Sequence, residues 1–370
     1  MNEQHPGVRR IDVAPTQQAI QLDEPVDQLP EPEPRASGTG SRRLLGKLAP
    51  RRISAIYLLG SFIVLFGLLS PDTFLTEVTF TLVFRSGVVT CILALAFLVP
   101  LTAGVYDLSI GAVMALGLGI VVYLSLHTDL PILVTALIAI AASALSGAVS
   151  GFIVVKLHVD SFIATLGVSQ VLAGVLLLMS NNTQLIGDFP EGWGELGRGD
   201  FAGVPVVVWM LLLLALVMWY CLEFTAVGRH LLATGGNRDA ARLAGVPTER
   251  VLFGVFVASG AISGLAGVVF SMQSPVFSSS VGPGYLFPAV AAVFLGASQL
   301  SQRPNVWGTL IAYFALAFGI QGLALSASSA SVWSQPMFQG VSLIIAVAVA
   351  SRPVLRKLRA SREQAPESVS

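Results

Sequence analysis

Apolar segments of membrane-crossing length, cut apart by Pro, Gly or charge, follow one another along most of this chain and leave it few ways to fold. A helix needs about 20 mostly apolar residues to cross the hydrocarbon core of a bilayer, where each backbone polar group must find its partner within the protein. Such segments read at 54–70, 80–100, 105–126, 131–155, 161–180, 205–222, 251–272, 286–300, 306–325 and 336–351. They predict an all-α polytopic membrane protein of about ten transmembrane helices, with a broken or re-entrant stretch near 100–110 where Pro100 and Gly104 interrupt the run. Composition agrees, with 54% hydrophobic and 11% charged residues against roughly a quarter charged in a water-soluble domain.

Residues 1–50 are rich in Pro and charge and nearly free of aromatics, so they cannot bury enough surface to fold and read as a disordered cytoplasmic tail. A transmembrane domain is expected over 51–355 and a second cytoplasmic tail over 356–370. The first apolar run, near Ile53, starts too late and is too long for a secretory signal. Basic residues fix the orientation, since Lys and Arg gather on the cytoplasmic side. Arg42, Arg43, Lys47, Arg51 and Arg52 precede the first span, and Lys156 follows the fourth. Arg229, Arg238, Arg242 and Arg250 lie in the loop after the sixth, Arg303 follows the eighth, and Arg352, Arg356, Lys357 and Arg359 follow the tenth. Alternating spans put all of these on one face if both termini are cytoplasmic. The loop 181–205, net acidic, falls on the other face. Arg85, near the outer end of the second span, is the exception and is expected to snorkel to the headgroups.

The chemistry that the sequence omits narrows the function. It contains no H-E-x-x-H, C-x-x-C, G-x-S-x-G or Walker A pattern, and four histidines without ligand-like spacing. An enzyme is therefore not expected, nor a metal, a cofactor or a nucleic-acid partner. Cys91 and Cys221 lie in apolar segments and read as packing residues. Gly260, Gly264 and Gly267 recur at helical spacing and predict close helix–helix contact.

Asp107 is the one charge in "LTAGVYDLSIGAVMALGLGIVV" (101–122). A carboxylate at bilayer depth costs on the order of 3 kcal/mol even on lenient scales, so its place needs a reason. With Pro100 and Gly104 just before it, the helix is expected to end near Val99 and restart near Ile110, leaving orphan amides. Asp107 and Ser109 are N-cap residue types and suit those amides and the positive end of the new helix. The other reading has the broken helix line a translocation path, with Asp107 meeting the solute.

Four segments carry a family resemblance. "AGVYDLSIGAVMALG" (103–117), "VDSFIATLGVSQVLAGV" (159–175), "GRHLLATGGNRDAARLAGVPTERV" (228–251) and "AVAAVFLGASQLSQRPNVWGTLIAYFAL" (289–316) are similar, in the same order, to segments of the membrane permease subunits of ribose- and xylose-type ABC importers. Val105, Tyr106 and Asp160 depart from the pattern, as does "QRPN" (302–305) where a glycine-rich turn is common. The resemblance implies a multi-pass protein of the plasma (inner) membrane, paired with a second permease copy as a homodimer or heterodimer. It further implies cytosolic ABC ATPase subunits and an extracytoplasmic sugar-binding protein that delivers a monosaccharide. It also implies a role for the cytoplasmic loop Glu223 to Arg250, in which Asn237 suits the cap of a short helix that Gly245 and Pro247 stop. Gly235, Gly236, Asn237, Asp239, Ala240, Ala241, Arg242 and Gly245 take the ATPase-coupling role; without the resemblance, a connector lying on the membrane surface is the simpler reading.

For the translocation pathway the candidates are Asp107, Ser109, Phe162, Thr165, Ser169 and Gln170. Phe162, Thr165 and Ser169 share one helical face, and an aromatic with hydroxyls suits a sugar. Packing, with the hydroxyls bonded to the preceding turn, explains each residue singly as well. A self-sufficient secondary transporter or channel for a small polar solute is the alternative function. It would call for several intramembrane ionisable groups, and Asp107 stands nearly alone.

Overall fold

The computed structural model describes residues 54–300, 303–326 and 335–345. The expected tails at 1–50 and 356–370, most of the basic residues flanking them, and the end of the segment at 336–351 lie outside the described residues. Helices follow in the order α1 (Ser54–Leu69), α2 (Pro71–Phe74), α3 (Glu77–Thr102), α4 (Ile110–His127), α5 (Ile132–Lys156), α6 (Ser161–Ser180), α7 (Glu191–Arg198), α8 (Val206–Phe224), α9 (Ala226–Gly236), α10 (Arg238–Leu243), α11 (Thr248–Gln273), α12 (Pro283–Leu300) and α13 (Val306–Ser326). A helical stretch over 335–345, α14, closes the described chain. Seven of these, α3, α4, α5, α6, α8, α11 and α13, are long and apolar enough to cross a membrane, and α1 and α12 are shorter apolar helices.

Apolar on every face from Gly87 onward, α3 occupies the middle of the bundle, which is where such a helix belongs. Every residue from Cys91 to Leu98 is enclosed, and the helix packs against α8, α11, α12 and α13. Lipid tails supply no hydrophobic force between helices, so close approach of backbones has to hold the bundle. The glycine stripe of α11 provides it. A Cβ on Gly260 would run into the Ser143 carbonyl of α5, and one on Gly267 into the Met114 carbonyl of α4. Cys91 is buried as expected, whereas Cys221 is exposed on α8.

Short-range pairings mark the two ends of the bundle. At one end β1 (Leu185–Ile186) pairs antiparallel with β4 (Val276–Phe277), and Trp193 Nε1 donates to Ser271 Oγ at 3.1 Å. Arg85 belongs to this end, but not by snorkelling: its guanidinium bonds Asp200 Oδ1 at 2.8 Å, beside the small hairpin of β2 (Asp200–Phe201) and β3 (Val204–Pro205). A nearby carboxylate gives it a partner that free headgroups would otherwise supply. At the other end Lys156 bonds Glu249 at 3.2 Å and Arg303 bonds Glu223 at 2.9 Å. Exposed pairs of this kind contribute at most about 1 kcal/mol, so they report position more than stability. Lys156 with Glu249, and Arg303 with Glu223, each join positions that alternating spans place on the same side.

Candidate functional site

Two elements that the sequence singled out meet at the bundle's Lys156–Glu249 end: the break between α3 and α4, and the α9–α10 loop. The break begins later than expected. Pro100 removes one backbone donor but α3 continues through it to Thr102, because a single lost bond in the last turn is tolerated where packing encloses the segment. Gly104 then takes φ +78°, a conformation that glycine adopts without a Cβ penalty, and α4 starts only at Ile110.

Amides freed by the break find partners one by one. Gly104 N bonds the Leu101 carbonyl and Val105 N the Pro100 carbonyl. Tyr106 N donates to Ser161 Oγ at 3.2 Å and Leu108 N to Thr165 Oγ1 at 3.1 Å, so two hydroxyls of α6 stand in for the missing helix turn. Ser109 N donates to Asp107 Oδ1 at 3.0 Å. In hydrocarbon, partners of this kind are what make irregular backbone tolerable.

Asp107 is therefore not an N-cap in the expected sense. Ser109 takes the cap position without a side-chain cap bond, and the Asp107 carboxylate grips Ser109 instead of the first helical amides. Ser109 Oγ donates to Oδ1 at 2.5 Å, and Ser259 Oγ of α11 donates to Oδ2 at 2.7 Å. Asp107, Ser109 and Ser259 are all enclosed, and among the described residues no basic side chain bonds the carboxylate. The group is a knot of hydroxyls tying the break to α11.

The six pathway candidates divide. Asp107, Ser109 and Thr165 come together at the break. Phe162 is exposed, Ser169 half-buried and Gln170 exposed along α6, so the shared helical face is not equally enclosed. Asp160, where the family pattern has proline, N-caps α6 by accepting from Phe162 N at 3.0 Å and Ile163 N at 3.4 Å. Tyr106 lies in a ring cluster with Phe97 and Phe294, centroids 6.1 to 6.4 Å apart. Sequence reasoning missed Ser161 and Ser259. Ser161 carried a signal in its i, i+4 spacing to Thr165, while Ser259 is one of several small residues in the α11 stripe.

Directly against the break sits the loop. Asn237 caps α10, its Oδ1 accepting from Ala240 N at 3.0 Å, and Gly245 at φ +84° ends it. Gly235, at the end of α9, lies so close to α3 that an added Cβ would run into the Thr102 carbonyl, and Gly104 in turn faces Gly235 Cα. Gly236 next to it faces open space. Asp239, Ala240 and Arg242 are exposed and Ala241 is buried. Leu243 is 91% exposed, an apolar side chain that nothing in the described chain covers. Among the described residues no cluster of His, Cys, Asp and Glu is placed to hold a metal ion.

Comparison with known proteins adds an independent line. The profile of the family described as "Branched-chain amino acid transport system / permease component" matches residues 79–350. The ribose import permease protein RbsC of Escherichia coli is 33% identical over 293 residues, 78% of this chain and 89% of that one. The D-allose transport system permease protein AlsC of Escherichia coli is 28% identical over 80% of this chain and 91% of its own length. The autoinducer 2 import system permease protein LsrC of Klebsiella pneumoniae is 33% identical over 73% of this chain and 77% of its own. No solved structure matches the chain significantly.

Proposed function

This chain belongs to the branched-chain amino acid transport system / permease component family, and from that premise we propose that it is the permease subunit of an ATP-binding cassette importer, forming the route by which a monosaccharide crosses the membrane. The relatives named for ribose and allose import support the solute class. In this reading the chain hydrolyses nothing itself. Separate cytosolic ATPase subunits drive it, a sugar-binding protein outside delivers the solute, and a second permease copy completes the pore. About ten spans run between two cytoplasmic termini, with the Lys156–Glu249 end facing the cytosol.

One observation carries the mechanism: the main chain of Gly235 rests on Thr102–Gly104, at the mouth of the break. An ATPase that grips α10, through exposed Leu243 and Arg242, thereby pushes on the segment holding Tyr106 and Asp107. Residues Gly235, Gly236, Asn237, Asp239, Ala240, Ala241, Arg242 and Gly245 form the coupling element. Asp107, Ser109 and Thr165 position the broken segment beside the route, and Phe162 and Gln170 face outward along α6, with Ser169 half-buried beside them, where a second copy can add to the wall.

Reconstitution tests this directly. Proteoliposomes with the chain, its ATPase and its receptor take up labelled ribose or a related sugar when ATP is supplied, and the chain alone shows neither ATP hydrolysis nor concentrative uptake. Accumulation against a gradient by the chain alone would establish the secondary-transporter alternative instead.

A further inference from the structure

None of the pathway candidates lines the cavity of about 450 Å³ between α3, α12, α13 and α14. We propose that this cavity is the chamber that holds the solute in transit, and that it is built for an uncharged, polyhydroxylated ring. The proposal rests on the permease reading above and adds to it the place and the chemistry of solute contact.

The volume falls in the range of roughly 300–1,000 Å³ typical of small-molecule sites. The neutral polar groups in its wall include Thr90 on α3, Tyr285 on α12, Tyr313 and Gln321 on α13, and Gln335 and Gln339 on α14. Among the described residues no acidic, basic or histidine side chain lines it. A charged solute would lose its hydration here without a counter-ion, which disfavours it strongly. A sugar hydroxyl both donates and accepts, and a carboxamide offers two donors and an acceptor, so each glutamine can serve a hydroxyl in either sense. Tyrosine rings supply flat apolar faces for the C–H side of a ring. The absence of a side chain at Gly87 leaves the space that the Tyr313 ring fills. Gln321, Gln335 and Gln339 have no hydrogen-bond partner among the described residues, which leaves their amides available to a ligand.

Position supports the same assignment. The α3 residues lining the cavity bracket Arg85, whose partner Asp200 lies at the end of the bundle opposite α10. The cavity therefore sits toward the face from which a receptor would release its sugar. Ala291 lines it, and one turn further along α12 Phe294 meets Phe97 and Tyr106, the latter on the broken segment. The aromatic trio lies between the chamber and the loop that Gly235 presses.

The test uses the complete complex in proteoliposomes with labelled D-ribose, D-xylose and D-allose as probes. In Gln321→Leu and in Gln339→Leu, uptake of whichever sugar the unmodified complex moves falls about tenfold, the loss of one well-placed hydrogen bond, and Gln321→Asn restores part of it. In a second arm, Gln339→Cys in a Cys221→Ser background is modified with a membrane-impermeant thiol reagent, and the transported sugar slows the modification about twofold at half-saturation. If the leucine variants fail to insert, the protection arm decides alone. Unchanged uptake together with unchanged labelling overturns the chamber and leaves the permease reading standing. Failure of the unmodified complex to move any of the three sugars overturns that reading, and the chamber with it.

Discussion

Ser259 donates to the Asp107 carboxylate at 2.7 Å, joining the broken segment before α4 to the glycine-rich face of α11 across 152 positions of sequence. An enclosed carboxylate bonded only by hydroxyls and one amide depends on each of those donors. Ser259→Ala is expected to destabilise the protein by about 1–3 kcal/mol, and Asp107→Ala to do so as well. Because the two share one bond, the double variant should lose less than the sum. Thermal unfolding in detergent measures all three, and strict additivity would show that the bond contributes nothing.

Gly235→Ala places a methyl against the Thr102 carbonyl, whereas Gly236→Ala meets open space. The first is expected to reduce sugar-dependent ATP hydrolysis by the assembled complex about fivefold, and the second to leave it within about twofold, a contrast set by backbone overlap that cannot relax through a rotamer. Equal behaviour of the two variants in an ATPase assay would remove the contact from the transmission route.

Leu243→Asp, Asp239→Lys and Arg242→Glu alter exposed positions on or beside α10. Surface substitutions of this kind change stability by about 0.5 kcal/mol or less. Each variant is expected to purify with an unaltered unfolding temperature and to lose binding of the ATPase subunit in a pull-down. Retained binding in all three would place the docking surface elsewhere.

Asn237→Ala removes the acceptor for Ala240 N. Loss of such a cap costs about 1 kcal/mol, and here it falls on a six-residue helix with little else to hold it. Hydrogen exchange at Ala240 and Ala241 should accelerate while α11 stays protected; uniform exchange across both would contradict the local role.

Sidedness offers a separate check. Arg238→Cys and Asp188→Cys, in a Cys221→Ser background, are expected to react with an impermeant thiol reagent from opposite faces of oriented vesicles. Reaction from the same face would contradict the alternating spans.

Much of this architecture was readable because the apolar runs and the punctuating residues carry their own physics. The segments expected at 131–155, 161–180 and 306–325 match α5, α6 and α13 to within a residue, and Asn237 and Gly245 bound α10 as their residue types imply. Other features depend on which helices cross and at what angle, which no periodicity encodes. Ser259 is one hydroxyl in a stripe of small residues until α11 lies beside the break. Arg85 looked bound for the headgroups because Asp200 is 115 positions away. Pro100 looked like a helix end because the enclosure that lets α3 pass through it is a property of the bundle. The glutamines of α13 and α14 drew no notice for the same reason, since a cavity between helices has no linear signature.

Thr102–Gly104 and Gly235 approach each other main chain to main chain. Side chains ordinarily act as springs, swinging between rotamers and soaking up small displacements before these travel further. Here that slack is missing, so a shift of α9 must either carry the start of the broken segment along with it or pull the two strands of backbone apart. If the proposed coupling runs through this junction, it acts as a rigid strut, with little freedom to transmit a half-stroke.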